Sequence, residues 1–591
     1  MKRATLFTSL FFFLALSHTL GQTPQTPATA VDYFKRGLER SKASDLDGAI
    51  ADYTRAIELD PRLASAYSNR ASLKRRKGLL AAALGDINAA VEINPREPMY
   101  LANRSLAYYD LKSYDLALGD INKAIELKPS SAGYYIQRGN LMEARGDSDA
   151  ALADYSMAIQ LSPSDGVAYR NRALLRSRKG DAEGALADLD QAIKANSRDS
   201  RAFYLRGNVK RVTDDFDGAI ADYTRAIEID PRFRDAFNTR GLARRGNGDF
   251  EGAIADFGRA IEIDPKSIYA YANRIAARAR TGDPAGSAAD FDKAIKLDPR
   301  STLPYLARVD AGLFRKDYDG AIADLTKVIE LEPSGDNYAK RGDAFDMKGD
   351  AEKALADYDR AAELDPRVAV VYGRRASLRF GNGDLSGALA DLERAISLET
   401  SEALKAIYRG DALWMKDEPE RAIAQYTIAT QLEPRLMNAY YTRAWCELYV
   451  GQGDAAHADA LSYLKHFRAT DKTAPYAVLV SYFGLRQGGR TDDAQAFLEE
   501  WGKRLDVSAW PRPVVRYLRR EIDARELIAA AKGAEQTTEA HAYVGIDLSL
   551  AGRRADALEH LRRVEASGVR NLYEYRLATH ELRRLGGDSS K

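Results

Sequence analysis

The sequence predicts an all-α chain, built as a solenoid of stacked helical hairpins rather than as one globular core. Three observations carry this. The stretch Asp45–Pro61, DLDGAIADYTRAIELDP, recurs almost intact at Asp215–Pro231 and Asp249–Pro265. A closing proline falls at 61, 95, 129 and 163 and again at 231, 265, 299 and 333, with Ser197 in the same frame, so the period is 34 residues. Small residues return at fixed places within that period. A fixed period of this size marks a helical repeat array and outranks any local reading. Such arrays also escape the size limit of a single core, which a chain of 591 residues would exceed.

The chain begins differently. Lys2 and Arg3 precede an apolar run from Leu6 to Leu16, which is too short to span a bilayer and reads as an export signal, residues 1–21, cleaved after Gly21. No cysteine stands at the cleavage site to carry a lipid. Residues 22–29 read as a short disordered spacer. The only cysteine is Cys446, so no intramolecular disulfide forms and packing alone must hold the exported chain. The expected location is periplasmic or secreted, with no membrane span. Charge is balanced, at 87 basic against 86 acidic residues, which argues against a general role on nucleic acid.

Thirteen repeats fill 30–468. Each is numbered so that its closing proline is position 32, and repeat 1 starts at Ala30. One residue is lost after Pro333, so the later marks are Pro366, Thr400 and Pro434. Position 4 is mostly aromatic, from Tyr33 to Tyr440, and position 8 mostly small, from Gly37 to Ala444. Position 20 is alanine in every repeat but that of Ser287, and position 27 in eleven of thirteen. Small residues at 8, 20 and 27 let two helices approach, while large ones at 4 and 24 fill the space beside them. Gly78, Gly146, Gly180, Gly248, Gly282, Gly349 and Gly383 fall between the helices, where a C-cap needs positive φ. An aspartate often follows and suits the start of the second helix.

These columns resemble the tetratricopeptide repeat (TPR) family over about 30–468. The resemblance implies a right-handed superhelix of antiparallel helix pairs with a concave groove. Some members clamp a C-terminal carboxylate with Lys at 5 and Asn at 9 of the first repeat. Here those positions are Phe34 and Leu38, and only Asn69 and Asn103 at position 6 survive, so that clamp is incomplete.

Beyond Phe467 the frame weakens. A C-terminal helical region, 469–591, holds two degenerate repeats at 475–508 and 538–571. Between them stands an interruption entered by Trp510-Pro511-Arg512-Pro513 and continued by the helix-like VVRYLRREIDARELIAAAKG. The close is a tyrosine- and arginine-rich helix. The final helix, Leu572–Leu585, is expected to cap the array by burying Leu572, Tyr575, Ala578, Leu582 and Leu585 on the 541–565 pair, with Leu577 off the stripe. This order is similar to the C-terminal part of the NlpI family of bacterial envelope lipoproteins over roughly 440–586. That resemblance implies a homodimeric scaffold for envelope proteases or cell-wall hydrolases. The missing lipid-bearing cysteine and the longer array depart from it.

Two charged columns depart from the usual repeat core. Position 7 is arginine in all thirteen repeats, and position 23 is aspartate in all but repeat 12, where Gln425 stands. They predict an internal ladder in which each arginine meets the aspartate of the preceding repeat, Arg70 with Asp52 and Arg104 with Asp86. An arginine rail for an anionic ligand is the other reading of that column.

In this family, positions 2, 5, 9, 12 and 13 of the first helix tend to face the groove. There the sequence places Arg75, Arg76, Arg170, Arg178, Arg201, Arg211, Arg245 and Arg280 over repeats 2–8. Repeats 9–13 place Asp310, Asp336, Asp343, Asp346 and Asp411 there, with Phe314, Phe380, Trp414, Tyr441, Trp445 and Tyr449. The expected groove is basic in its first half and acidic-aromatic in its second. Trp414, Tyr441, Trp445 and Tyr449 are expected to form an exposed patch for a protein partner, since clustered Trp and Tyr favour interface hot spots.

No HExxH, phosphate loop or nucleophile elbow occurs, and no histidine lies in 19–456. Cys446 fits a packed core position rather than a reactive one. No catalysis, metal or cofactor is expected. The leading expectation is a non-catalytic envelope scaffold that binds an extended peptide or protein. The alternative is a carrier or regulator of an anionic envelope polymer held by the arginines of repeats 2–8.

Overall fold

The computed structural model describes residues 29–465, 473–504, 510–570 and 572–586. The expected export signal, and the spacer except Thr29, lie outside the described residues. The described chain is helical throughout, without a strand, and its helices follow one another as hairpins. It divides into two compact units at Pro265/Lys266. The first holds repeats 1–7. The second holds repeats 8–13 and the C-terminal region. Within a repeat the two helices are A and B. Repeat 1 pairs Ala30–Lys42 with Leu46–Leu59, and repeat 13 pairs Met437–Tyr449 with Gly453–Leu464.

The small columns explain the close pairing. A Cβ built on Gly37, Gly139, Gly207 or Gly241 would lie 2.6–2.7 Å from the ring at position 24 of helix B. Those rings, Tyr53, Tyr155, Tyr223 and Phe257, are buried, as are the alanines at positions 20 and 27. Packing at this density leaves no room for a methyl group. The turns follow the sequence pattern. Gly78, Gly146, Gly180, Gly248, Gly282, Gly349 and Gly383 all have φ between 77° and 87°. Asp45, Asp147, Asp181, Asp215 and Asp249 cap the next helix by accepting from the backbone N–H three residues on.

The Arg–Asp ladder exists, in a different register. Arg70 grips Asp86 of its own repeat, not Asp52, with Nε and Nη2 donating to the two carboxylate oxygens at 2.8 and 2.7 Å. Arg104 grips Asp120, not Asp86, and Arg36 takes Asp52. The same own-repeat fork recurs from Arg138–Asp154 to Arg443–Asp459, except in repeat 12, where Gln425 replaces the aspartate. Position 8 must face helix B of its own repeat. Position 7, one step around the helix, straddles the seam with the preceding hairpin. The long guanidinium serves both sides: its fork stays at home, while Nη1 of Arg70, Arg172 and Arg240 reaches back to Thr54, Ser156 and Thr224 of the preceding helix B.

A basic residue at position 11 adds a further contact in several repeats, as Lys74 does on Asp86 and Arg244 on Asp256. The aromatic ring at position 4 lies under the guanidinium in most repeats, 5.1 Å away at Tyr33 and 5.6 Å at Phe237. The aspartates are buried and the arginines partly so. Such pairs fix register better than they add stability, yet losing one partner is costly.

In the second unit, Ala474–Gln487 pairs with Thr491–Arg504, and Gly533–Leu550 pairs with Arg554–Ser567. The stretch between them forms two short helices, Arg512–Leu518 and Ala524–Ala530, rather than one. Arg520 takes φ of 62°, and a capping box between Asp523 and Glu526 starts the second. The polar core here centres on buried Asp547, which accepts from Arg486, Tyr517 and Arg520. The final helix, Tyr573–Arg584, packs on the Gly533–Leu550 and Arg554–Ser567 pair, as the stripe predicts. Leu577 belongs to the buried face with Ala578 and Leu582, whereas Leu572, Tyr575 and Leu585 are only half-buried.

Candidate functional site

The inner faces of the A helices are the candidate surface, and the two units differ. In the second unit the expected aromatic patch is not exposed. Trp445 and Trp414 are 2% and 8% exposed, Tyr449 is buried and Tyr441 half-buried. The final helix covers them. Tyr573 stacks on Trp445 at 5.3 Å and on Trp414 at 6.0 Å, and His580 lies on Tyr449 at 4.3 Å. Arg576 sits over the Trp414 ring at 4.0 Å and 5.8 Å from the Phe380 ring, and donates to the Trp414 carbonyl oxygen and to Asp417. The helix therefore has two working faces. Leu577, Ala578 and Leu582 bind it to its own hairpin, and Tyr573, Arg576 and His580 bind it to repeats 12 and 13. The expected exposed patch is instead an internal docking surface: Trp414, Trp445 and Tyr449 are buried, and Phe380 and Tyr441 are half-buried. Phe314 stays 41% exposed, with Arg280 3.7 Å from its ring centroid.

The acidic positions of this unit are partly shielded. Tyr358 and Tyr426 at position 24 donate to Asp343 and Asp411 at position 9. Burial raises the Asp343 carboxyl above its ordinary range and pushes Asp411 up to about 6. Burial likewise pushes Glu539 up to about 8; it accepts from Trp510 and Tyr476. Burial lowers His541, whose Nδ1 is 2.9 Å from that of His560, to about 4. Cys446 is fully buried, and burial pushes its thiol well above the ordinary range. Among the described residues, no group of three or more His, Cys, Asp or Glu side chains is placed to hold a metal ion.

In the first unit most of the basic column is already engaged. Arg75 donates to Asp110 at 3.2 Å, Arg170 to Asp199, and Arg178 to Glu143. Arg211 lies beside the Tyr223 hydroxyl, and Arg245 also has partners. Arg76 and Arg201 are exposed. Arg75, Arg170 and Arg178 thus hold carboxylates, and the column is not a continuous rail of free cations. The counter-ions were open to discovery: Asp110 and Glu143 occupy positions 13 and 12 of adjacent repeats, the same groove-facing positions that supplied Arg75 and Arg178. A cavity of about 340 Å³ opens on this face between the A helices of repeats 3–5. Leu106, Tyr109, Leu141 and Ala144 line it with Ser105, Gln137, Asn140, Glu143 and Arg178. At the same position 9 as Asp343 and Asp411, Asn140 and Asn208 accept from Tyr155 and Tyr223.

A tetratricopeptide repeat family model matches residues 34–98, 101–166, 170–232, 238–302 and 306–369, more than half of the chain. A curated relative, the lipoprotein NlpI homolog of Haemophilus influenzae, is 28% identical over 186 residues, which is 30% of this chain. The chain spans 58% of that relative's length. Among solved structures, yeast Tom70 aligns over 66% of this chain and 96% of its own, at 16% identity and a TM-score of 0.40. A tetratricopeptide repeat protein of Parabacteroides merdae aligns over 41% and 95%, at 21% identity and 0.36. YrrB, described as a TPR protein with an unusual peptide-binding site, aligns over 32% and 97%, at 26% identity and 0.29. With the repeat columns on the same residues as the family match, the chain belongs to the tetratricopeptide repeat family.

Proposed function

We propose that this protein is a non-catalytic scaffold of the bacterial envelope that holds an extended peptide or protein segment along the inner face of repeats 2–7. Repeats of this family serve in protein–protein interaction. The observation that favours this stretch is the contrast between the two units. In the second unit the aromatic surface is covered by the protein's own final helix, whereas the first unit keeps an open cavity with apolar walls and oriented amides. The envelope assignment rests on the basic, then apolar, N-terminal sequence and on the lipoprotein relative. Control of an anionic polymer is the weaker reading, because Arg75, Arg170 and Arg178 already hold carboxylates.

Panning a phage-displayed library of random peptides on the chain from residue 22 onward tests the groove reading. Enriched peptides that compete with one another and keep their affinity in added salt support it. Capture of a polyanion alone, lost as salt screens it, would instead favour the polymer reading. Fusion of residues 1–30 to alkaline phosphatase tests export: an inactive fusion rejects the envelope assignment.

A further inference from the structure

The cavity of repeats 3–5 has a polar pattern that names a ligand group. Asn140 is held from behind. The Tyr155 hydroxyl donates to its Oδ1 at 2.8 Å, sharing its proton with Glu143 Oε2 at 3.1 Å, and Asn171 Nδ2 donates to the same Asn140 oxygen at 2.9 Å. With the carbonyl end engaged twice, the Nδ2 donors are left for the cavity that Asn140 lines. Tyr155 is itself locked, because its ring is buried against Gly139. The same tyrosine-to-position-9 bond recurs with Asp343 and Asp411, whose ionised side chains only accept, so the hydroxyl is the donor in this arrangement.

Gln137 is fixed in the opposite sense. Its Nε2 donates to the Ala102 carbonyl at 2.8 Å, which leaves Oε1 as the acceptor. The charged members of the lining, Glu143 and Arg178, pair with each other and cancel. The site thus offers an oriented amide donor, an oriented amide acceptor, an apolar wall of Leu106, Tyr109, Leu141 and Ala144, and no net charge. A volume of about 340 Å³ sits at the lower end of ordinary ligand clefts, about 300–1,000 Å³. A neutral secondary amide with a short apolar substituent has the matching chemistry: one carbonyl to take the Asn140 donor, and one N–H for Gln137.

We propose that this cavity reads a backbone amide of the bound polypeptide and seats the adjoining uncharged side chain against Tyr109 and Leu106, with Tyr155 as the positioning residue. This rests on the groove reading above and adds to it the place and the group recognised. An acidic or basic side chain meets its own sign at Glu143 or Arg178, so the site selects against charge there.

The test uses a fluorescein-labelled peptide from the panning and fluorescence anisotropy on the chain from residue 22 onward. Asn140→Asp keeps the acceptor for Tyr155 and Asn171 but removes both donors, and repeats 10 and 12 already tolerate aspartate there. It should weaken the peptide at least tenfold with unchanged thermal unfolding. Tyr155→Phe should weaken it severalfold. Ala144→Leu, which fills the cavity, should also weaken it at least tenfold. If a peptide binds and all three variants stay within twofold of the parent, the cavity assignment is overturned while the groove reading stands. If no peptide is enriched at all, the groove reading itself falls. If chitotetraose, a chain of N-acetylated sugars, competes for the Asn140-dependent site while peptides do not, the occupant is a glycan amide and the polypeptide assignment is overturned.

Discussion

Asp256→Ala in repeat 7 is the sharpest test of the ladder. The Asp256 side chain is 4% exposed and receives three guanidinium N–H groups, from Arg240 at 2.9 and 2.7 Å and from Arg244 at 2.9 Å. Truncation strands two cations beside an emptied site. Removing one partner of a buried pair costs about 3–5 kcal/mol. The arginine side chains, at 12% and 25% exposure, regain some water, so the lower end, about 3 kcal/mol, applies. In a repeat array that loss is felt in repeat 7 and its neighbours before the whole chain.

Urea unfolding read together with native-state hydrogen exchange resolves this. Protection should fall first in the helices Arg234–Gly246 and Phe250–Ile263. Asp256→Leu combined with Arg240→Met and Arg244→Met should recover much of the loss, because apolar replacement of all the partners is commonly near neutral. An Asp256→Ala chain within about 1 kcal/mol of the parent would refute the argument, as would a combined variant no better than the single one.

Tyr573→Ala should undock the final helix from repeats 12 and 13 at a cost of about 3 kcal/mol, by analogy with buried aromatic truncations. Tryptophan emission should shift to the red as Trp414 and Trp445 meet water; unchanged emission would contradict the docking. Gln425→Asp should rebuild the missing fork with Arg409, whose nearest carboxylate is Glu402 at 3.8 Å, and raise local stability by about 1 kcal/mol. Lower stability by urea unfolding would mean that the seam of repeat 12 excludes charge. The C-terminal region should also respond to acid. The folded His541 value of about 4 lies below the ordinary 6.5, so its contribution is intact above pH 6.5 and is lost as pH falls toward 4. Glu539 acts in the opposite direction: raised to about 8, its contribution is present below its ordinary value and is lost as pH rises through 8. His541→Gln should flatten the acid limb of thermal unfolding between pH 6.5 and 4; an unchanged limb would assign it elsewhere.

The hairpin array was legible because its causes are local and repeated. A glycine facing a ring, an alanine at a helix crossing and an aspartate at a helix start each act over a few residues, and the 34-residue period multiplies them. The ladder shows where that logic stops. The two columns were plain in the sequence, but their register turns on how far a guanidinium leans across a seam. Arg70 touches both helices at its seam, Asp86 of its own repeat and Thr54 of the preceding one, and Asp52 is already held by Arg36. The aromatic cluster failed for a different reason. Trp414 and Trp445 lie outside the repeat core columns, which made exposure a fair expectation. Their cover comes from Tyr573 and Arg576, more than a hundred residues later in the chain, and no periodic signal links them. The final helix did carry a second stripe, Tyr573, Arg576 and His580, at helical spacing beside the leucine stripe. Two stripes on one short helix imply two docking faces.

That double docking bears on which part of the groove can serve a partner. A helix held by apolar packing on one side and by an Arg576 clamp on the other is part of the fold of repeats 12 and 13, so displacing it would expose Trp414, Trp445, Leu577 and Leu582 together. Among the described residues, no helix covers the cavity on the inner wall of the first unit. Arg75, Arg170 and Arg178 are matched by carboxylates, and Tyr155 at position 24 donates to Asn140, which lines the cavity. A surface with cancelled charge and oriented amide donors gains little from long-range attraction, and its discrimination comes from hydrogen-bond geometry at close range. Binding there should therefore depend weakly on salt and strongly on single isosteric changes such as Asn140→Asp, which is the opposite of what an arginine rail would give.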